Sequence, residues 1–362
     1  MRTLEPNQPT TILGHKKLEK KFLNLWKSDR VPHAILLSGP RGVGKATFAY
    51  QVARFILHQS EEAKYNQMLA LDSENLNTLE VPDDSSVNGK IANKAHPDLL
   101  IIERSENLQT KKLRSEIVVD DLIDLGGFLR LTASGNGWRI IIIDTVDEMN
   151  RNAANSILKL LEEPPRQVLF ILISNYPGRL LPTIRSRCHR LVFSRLSRED
   201  MLRILGVKIE GHDSGTMEVI YNLSNGSAGV ALEMLSEDIL ECLEDIVALL
   251  LSPRPLNHLK IETIFDNWAR SAPRTEPNWL EQKLLIVIFW MSQGIRRVAQ
   301  DPSGGRENLS NENSLLKILV GLYGLSGMCE KLTKAEELIV RSKRLNLDRK
   351  ETFFSFVGML ND

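Results

Sequence analysis

Residues 34–47 read AILLSGPRGVGKAT, and the fold turns on them. A short apolar run, AILLS, leads into glycines at 39, 42 and 44 and then Lys45. The spacing G-x-x-x-x-G-K between a strand and a helix is that of a phosphate-binding loop. Glycines let backbone N–H groups wrap a phosphate, the helix N-terminus adds partial positive charge, and the lysine reaches the outer phosphates. The next position departs from the pattern. A serine or threonine there ligates Mg²⁺ through its hydroxyl, whereas this chain has Ala46. Thr47 follows, about 100° further round the helix, and does not replace it. The loop is thus read either as a weak nucleotide site or as a scaffold.

Four more β-branched runs punctuate the first 195 residues, at 98–102, 139–143, 168–173 and 191–193, with helical patterns at 45–57, 116–131 and 150–162. The last has Asn150 as N-cap, apolar Ala154, Ile157, Leu158 and Leu161, and a Pro164-Pro165 stop. Apolar strands separated by helices predict a parallel sheet covered on both faces, an α/β module over residues 1–195. Residues 58–95 are acid-rich, and about 72–92 read as a mobile surface insertion with few apolar anchors. From residue 196 the strands stop. Residues 196–250 predict a small helical unit, and 251–362 a second helical block interrupted by a loop at 301–313. The two prolines of SPRP (252–255) mark the break. The apolar segment WLEQKLLIVIFW (279–290) predicts core.

Composition narrows the function classes. The 362 residues carry 46 basic and 46 acidic side chains, so nothing at the level of the whole chain marks a polyanion binder, while a local basic face stays open. Lys16-Lys17, Lys20-Lys21 and Lys111-Lys112 read as solvated helix faces. Cys188, Cys242 and Cys329 stand far apart, with neither metal-ligand nor disulfide spacing. The N-terminal residues lack the apolar core of a signal peptide, and the run 284–291 is too short to span a bilayer. The expectation is a cytoplasmic protein without a membrane partner.

A second box follows the third apolar run. Ile140-Ile141-Ile142-Ile143 ends in Asp144, the acid that steadies Mg²⁺ in P-loop ATPases. Many of these place a glutamate next, to polarise the attacking water; here it is Thr145, which is no base at neutral pH. Asp147 and Glu148 read as a solvated helix cap. Phosphoryl transfer depends on positioning and charge, so losing the Mg²⁺ hydroxyl and the water-activating carboxylate together predicts no ATP hydrolysis.

The segments NAANSILKLLEEPP (152–165) and VLFILISNYPGRLLPTIRSRC (168–188) resemble the clamp-loader group of AAA+ proteins. With ILGHKKLEKKF (12–22), SDRVPHAILLSGPRGVGKAT (28–47), HPDLLIIE (96–103) and LDRK (347–350), the chain is most similar to the delta-prime subunits of bacterial DNA polymerase III. The resemblance implies a RecA-like module, a small helical lid and a helical collar. It also implies a place in a pentameric ring beside three ATP-hydrolysing gamma or tau subunits and one delta subunit. That ring opens the sliding β clamp and sets it on primer-template DNA.

Site residues follow from the same resemblance. Ser186-Arg187-Cys188 matches the family's Ser-Arg-Cys motif, making Arg187 an arginine finger acting in trans on a neighbour's ATP; Arg185 reads as a solvent or interface residue. Asn175 stands where active relatives place a γ-phosphate sensor, or simply caps a strand. In GSAGVAL (226–232), Gly229 stands where active relatives carry a sensor arginine. The nucleotide-binding set, in use or vestigial, is then Gly39, Gly42, Gly44, Lys45, Ala46, Thr47, Asp144 and Asn175. Some relatives carry a four-cysteine zinc module after the first helix; residues 58–95 hold no cysteine, and His58 and His96 cannot build a tetrahedral site alone. No zinc and no required cofactor are expected, while ATP or ADP binding stays open. Two competing readings remain. An active gamma- or tau-like ATPase is opposed by Ala46, Thr145 and Gly229; an independent DNA-binding protein is opposed by the zero net charge.

Overall fold

In the computed structural model the five apolar runs become one parallel sheet. The structure describes residues 6–8, 12–69, 77–107, 112–114, 116–130, 137–206, 214–236, 239–271, 279–301, 309–345 and 347–361. The chain divides into two compact units, Met1–Lys208 with Gly226–Gly229, and Ile209–Asn225 with Val230–Asp362.

The first unit runs α1 (Lys16–Lys27), β1 (Ala34–Ser38), α2 (Lys45–Leu69), α3 (Ser86–Ala92), β2 (Leu99–Ile102), the short antiparallel pair β3 (Glu106–Asn107) and β4 (Lys112–Leu113), α4 (Ile123–Arg130), β5 (Arg139–Asp144), α5 (Arg151–Glu162), β6 (Val168–Ser174), α6 (Pro182–Arg185), β7 (His189–Val192) and α7 (Arg198–Gly206). The sheet order is β2-β5-β6-β1-β7. Side chains alternate across it with the period of two that a pleated strand imposes. Ile35, Leu37, Ile140, Ile142, Leu169 and Ile171 pack with Phe48, Val52 and Phe55 of α2. Leu36, Ile141, Ile143, Phe170 and Leu172 pack with Ala153, Ile157 and Leu161 of α5. Register aligns Ser38 with Ser174, and Asp144 with Ile173. The segments that follow β1, β5 and β6 therefore meet at one edge of the sheet, the carboxyl ends where open α/β sheets bind ligands.

Local chemistry explains the helix ends. Asn150 Oδ1 accepts the N–H of Ala153 at 2.9 Å and caps α5. The helix read over 116–131 instead opens with a 3-10 turn, Val119–Leu122, where the Asp121 carboxylate takes the Val118 N–H at 2.8 Å. Helix α2 runs to Leu69, well past 57, because residues 58–69 contain neither glycine nor proline to stop it. The lysines of α1 at 16, 17, 20 and 21 are exposed while Phe22 and Leu23 are buried.

The reading of the insertion as poor in anchors is corrected over 77–92. Leu79, Val87 and Ile91 are fully buried, and α3 is capped by Ser85. Three apolar residues suffice because each inserts into the existing cluster of α1 and α2. Residues 72–76 lie outside the described residues.

The second unit contains α8 (Ser214–Ser224), most of α9 (Ala228–Ser236), α10 (Ile239–Leu250), α11 (His258–Ser271), α12 (Trp279–Gln300), α13 (Glu312–Leu345, kinked at Gly324) and α14 (Arg349–Asn361). Residues 196–250, expected as a lid, are thus divided: α7 falls in the first unit, α8 and α10 in the second. The segment 279–290 is core, with Trp279, Leu280, Leu284, Val287 and Trp290 buried against Trp268, Leu316 and Phe353. Helices α12 and α13 touch closely, since a Cβ on Gly294 would lie 2.5 Å from Leu316 Cδ1. Among the described residues no helix is long and apolar enough to cross a membrane.

Candidate functional site

The loop after β1 is shaped by glycine. Gly39, Gly42 and Gly44 have φ of 156°, 75° and 99°. A Cβ on Gly39 would lie 2.5 Å from the Phe193 carbonyl oxygen. The loop is pinned from below by His15, whose Nε2–H donates to the Val43 carbonyl at 2.7 Å and whose ring meets Phe193 edge-on. Burial lowers the His15 pKa and favours the neutral ring.

Lys45 is turned inward. It is 4% exposed, and Nζ donates to the carbonyls of Gly39 at 2.8 Å and Pro40 at 2.6 Å and to Asn175 Oδ1 at 2.7 Å. An ammonium has three N–H donors, so each has a protein acceptor. Burial pulls its pKa down to about 8, against the opposing pull of Asp144 and Asp147. Asp144 moves up, first through burial and then through nearby Glu103, while Lys45 and Thr145 oppose the rise. The Thr145 hydroxyl lies 3.4 Å from Asp144 Oδ1 as donor. Ala46 packs its methyl against the α2 core, and Thr47 is half-buried.

The reading of Asp147 as a solvated cap is corrected. Its two carboxylate oxygens accept the backbone N–H groups of Asn175 at 3.0 Å and Tyr176 at 3.1 Å. It therefore braces the chain just after β6 and presents Asn175 to Lys45. Glu148 pairs with Arg104 at 2.9 Å. Asn175 serves both as the first residue past the strand and as a polar contact to the loop lysine.

Gly229 lies on the loop. Its N–H donates to the Gly42 carbonyl at 2.8 Å, and a Cβ would stand 2.8 Å from Gly42 Cα. Ser227 Oγ donates to the Arg41 carbonyl at 2.8 Å, and Gly226 accepts the Leu196 N–H at 2.9 Å. Residues 226–229 form a strap over the phosphate loop, and no side chain fits at 229 without moving it. The contributions of His15, Asp147 and Ser227 were not read from the sequence. Gly226 and Gly229, on either side of Ser227-Ala228, are the visible signal of close approach.

Arg187 is elsewhere. It precedes β7, whose His189 pairs with Ile35 near the start of β1, whereas the phosphate loop follows the end of β1. The two are separated by the length of β1, roughly 15 Å at 3.3 Å per residue, and the fold does not bring them together. Arg187 Nη1 donates to the Thr183 carbonyl at 2.9 Å and Nη2 to Glu162 Oε1 at 2.7 Å. Its side chain is 34% exposed. Arg185 is exposed. Ser186 Oγ and Cys188 Sγ donate to the Thr183 and Ile184 carbonyls. Burial pushes the Cys188 thiol up to about 12, which favours its protonated form, and the side chain packs against the core beneath the sheet. Among the described residues, no three His, Cys, Asp or Glu side chains are grouped to hold a metal.

Residues 14–197, about half of the chain, match the model of the DNA polymerase III, delta subunit family. The chain belongs to that family. It is 31% identical to the DNA polymerase III subunit delta' of Pseudomonas aeruginosa, over 58% of this chain and 57% of that protein. It is 32% identical to the delta' subunit of Bacillus subtilis, over 50% and 47%, and 26% identical to the tau subunit of Bacillus subtilis, over 66% and 39%. The matches span about half the length of these relatives. A gamma-subunit-related protein of Thermotoga maritima aligns with a TM-score of 0.41 at 17% identity, covering 94% of this chain and 98% of that one. Family membership and the sheet with its glycine-rich loop give a delta-prime-like DNA polymerase III subunit chain: a parallel α/β module followed by a helical region.

Proposed function

We propose that this chain is the delta-prime-type subunit of a DNA polymerase III clamp loader, working in the cytoplasm. It is a component of the replication complex and no enzyme on its own. It stands in a ring with gamma or tau subunits and a delta subunit, and helps set the sliding β clamp on primed DNA. Its chemical contribution is Arg187, delivered in trans to the ATP of a neighbouring subunit.

The observation that carries this reading is how the two cations are used. Lys45 spends all three donors on its own chain. Arg187 uses two of the five donors of a guanidinium and stays accessible. The residues around the loop do not fit Mg²⁺-dependent ATP hydrolysis. Ala46 offers no oxygen, Thr145 no base, and Gly229 leaves no room for a sensor side chain. We therefore read the phosphate loop as a scaffold that shapes the module, with no required cofactor and no zinc. Any ATP or ADP it takes must first displace Lys45 from its internal acceptors.

Supplying an arginine across a subunit boundary has a physical purpose. A planar, permanently charged guanidinium matches phosphate geometry and stabilises the charge of the transferring γ-phosphoryl group. Because the group arrives with a neighbour, hydrolysis becomes conditional on correct assembly.

Two measurements test the reading. The purified chain, assayed for ATP hydrolysis in Mg²⁺ buffer, should show no turnover; steady turnover lost in Lys45→Ala would make it a gamma- or tau-like motor instead. In the reassembled loader, Arg187→Ala should leave assembly intact and slow clamp- and DNA-stimulated turnover. Unchanged turnover would remove the finger assignment.

A further inference from the structure

We infer that Glu162 is a positioning residue for Arg187. It holds the guanidinium, before any neighbour arrives, in the pose from which it reaches the neighbour's nucleotide. This rests on the finger reading above and adds to it the group that sets the finger.

Glu162 stands in an unfavourable place for its charge. Glu162 is the last residue of α5. The C-terminal end of a helix carries partial negative charge and favours cations, not carboxylates. The helix itself gains nothing from an acid there. What Glu162 does have is Arg187, 25 residues on, with Nη2 2.7 Å from Oε1. That is the short distance of a charge-assisted hydrogen bond. The second anchor is the Thr183 carbonyl in α6, at 2.9 Å from Nη1. This single turn leaves its last carbonyls in need of donors.

The two anchors come from two different elements, the end of α5 and the turn of α6. Between them they fix the direction of a side chain that would otherwise sample many rotamers. An arginine that must be ordered as it meets a phosphate loses that freedom at the moment of reaction. Arg187 is already ordered, with three N–H donors unspent and a third of its side chain exposed. Arg185, two residues earlier, is exposed and carries the same charge. The carboxylate therefore selects which arginine is presented.

An exposed ion pair adds little to stability. The effect of Glu162 should then appear in catalysis by the neighbour and not in the folding of this chain. The experiment uses the full chain reassembled with its ATP-hydrolysing partner subunits, clamp and primed DNA. It compares Glu162→Ala, Glu162→Gln, Arg187→Ala and the Glu162→Ala/Arg187→Ala double variant. Glu162→Ala should lower kcat roughly two- to fivefold, the range of an exposed ion pair, with KM for ATP unchanged. Glu162→Gln, whose amide oxygen still accepts the bond, should recover most of the loss. In the Arg187→Ala background, Glu162→Ala should do nothing further, because its effect passes through the arginine.

Each other outcome overturns the inference in a recognisable way. If Arg187→Ala is slow but Glu162→Ala runs at or above the parent rate, Glu162 does not position the finger, and the finger reading survives. Additive losses in the double variant would mean that Glu162 acts elsewhere. If Arg187→Ala itself runs at the parent rate, the finger reading falls and this inference falls with it.

Discussion

Lys45 and Arg187 are both cations placed just beyond a strand or helical turn of the same module, and they face opposite demands. Lys45 is 4% exposed and surrounded by acceptors of its own chain: two loop carbonyls and the Asn175 amide oxygen. Arg187 is 34% exposed and held by one carbonyl and one carboxylate. The first region is closed by glycines, a strap at 226–229 and a buried histidine. The second is open, at the far end of β1. In the function proposed above, the fold keeps its phosphate loop for its shape while the chemical role moves to another edge. A buried cation with all donors satisfied gains nothing from a new ligand unless the ligand outbids those bonds.

The contrast can be broken most sharply at Arg187. On the proposed finger role, Arg187→Ala should slow turnover about 10³-fold at the neighbouring site, while the chain's own stability shifts by no more than about 0.5 kcal/mol. Arg187→Lys should not rescue, because an ammonium lacks the planar fork. Single-turnover ATP cleavage in the reassembled ring, beside thermal melting of the chain alone, reads both quantities.

The inward state of Lys45 has a pH signature. Its folded pKa of about 8 lies below the ordinary 10.5. Between those values the unfolded chain holds a proton that the folded chain has released, so stability rises with pH across that window. The integrated gain is about 3 kcal/mol, at 1.36 kcal/mol per unit. Urea midpoints measured from pH 8 to 10.5 should climb in the parent relative to Lys45→Met. Parallel curves would show that Lys45 is not held in the buried pose.

The strap gives smaller effects. Gly229→Ala forces a methyl to within 2.8 Å of Gly42 Cα, and overpacking of this kind costs about 1–3 kcal/mol. Equilibrium denaturation should show it, and an unchanged midpoint would mean that the strap lifts freely. Ser227→Ala removes one hydrogen bond to the Arg41 carbonyl and should cost about 1 kcal/mol. A loss much below that would mark the serine as incidental.

Most of the first unit was legible because its signals are local. The glycine spacing of 39–45, the apolar runs and the Asn150 cap each depend on residues within a few positions of one another. Residues 77–92 misled for the opposite reason. Leu79, Val87 and Ile91 look sparse in sequence and become anchors only where an existing core receives them. Asp147 was read as a solvated cap because its real partners, the N–H groups of Asn175 and Tyr176, lie 28 and 29 residues away. Of the site residues, Ala46 and Thr145 could be judged from identity alone, since a methyl cannot ligate a metal and a hydroxyl is no base at neutral pH.

By itself the sequence determined the phosphate loop, the parallel α/β module, the helical C-terminal half and the chemical identities at 46, 145 and 229. These are fixed by side-chain chemistry and by short-range backbone preference. Only the tertiary structure decided that Lys45 turns inward, that Gly229 closes on Gly42, and that Glu162 takes hold of Arg187. Each of those facts depends on hydrogen-bonding groups brought together across long stretches of chain, and no local pattern encodes which donor will meet which acceptor.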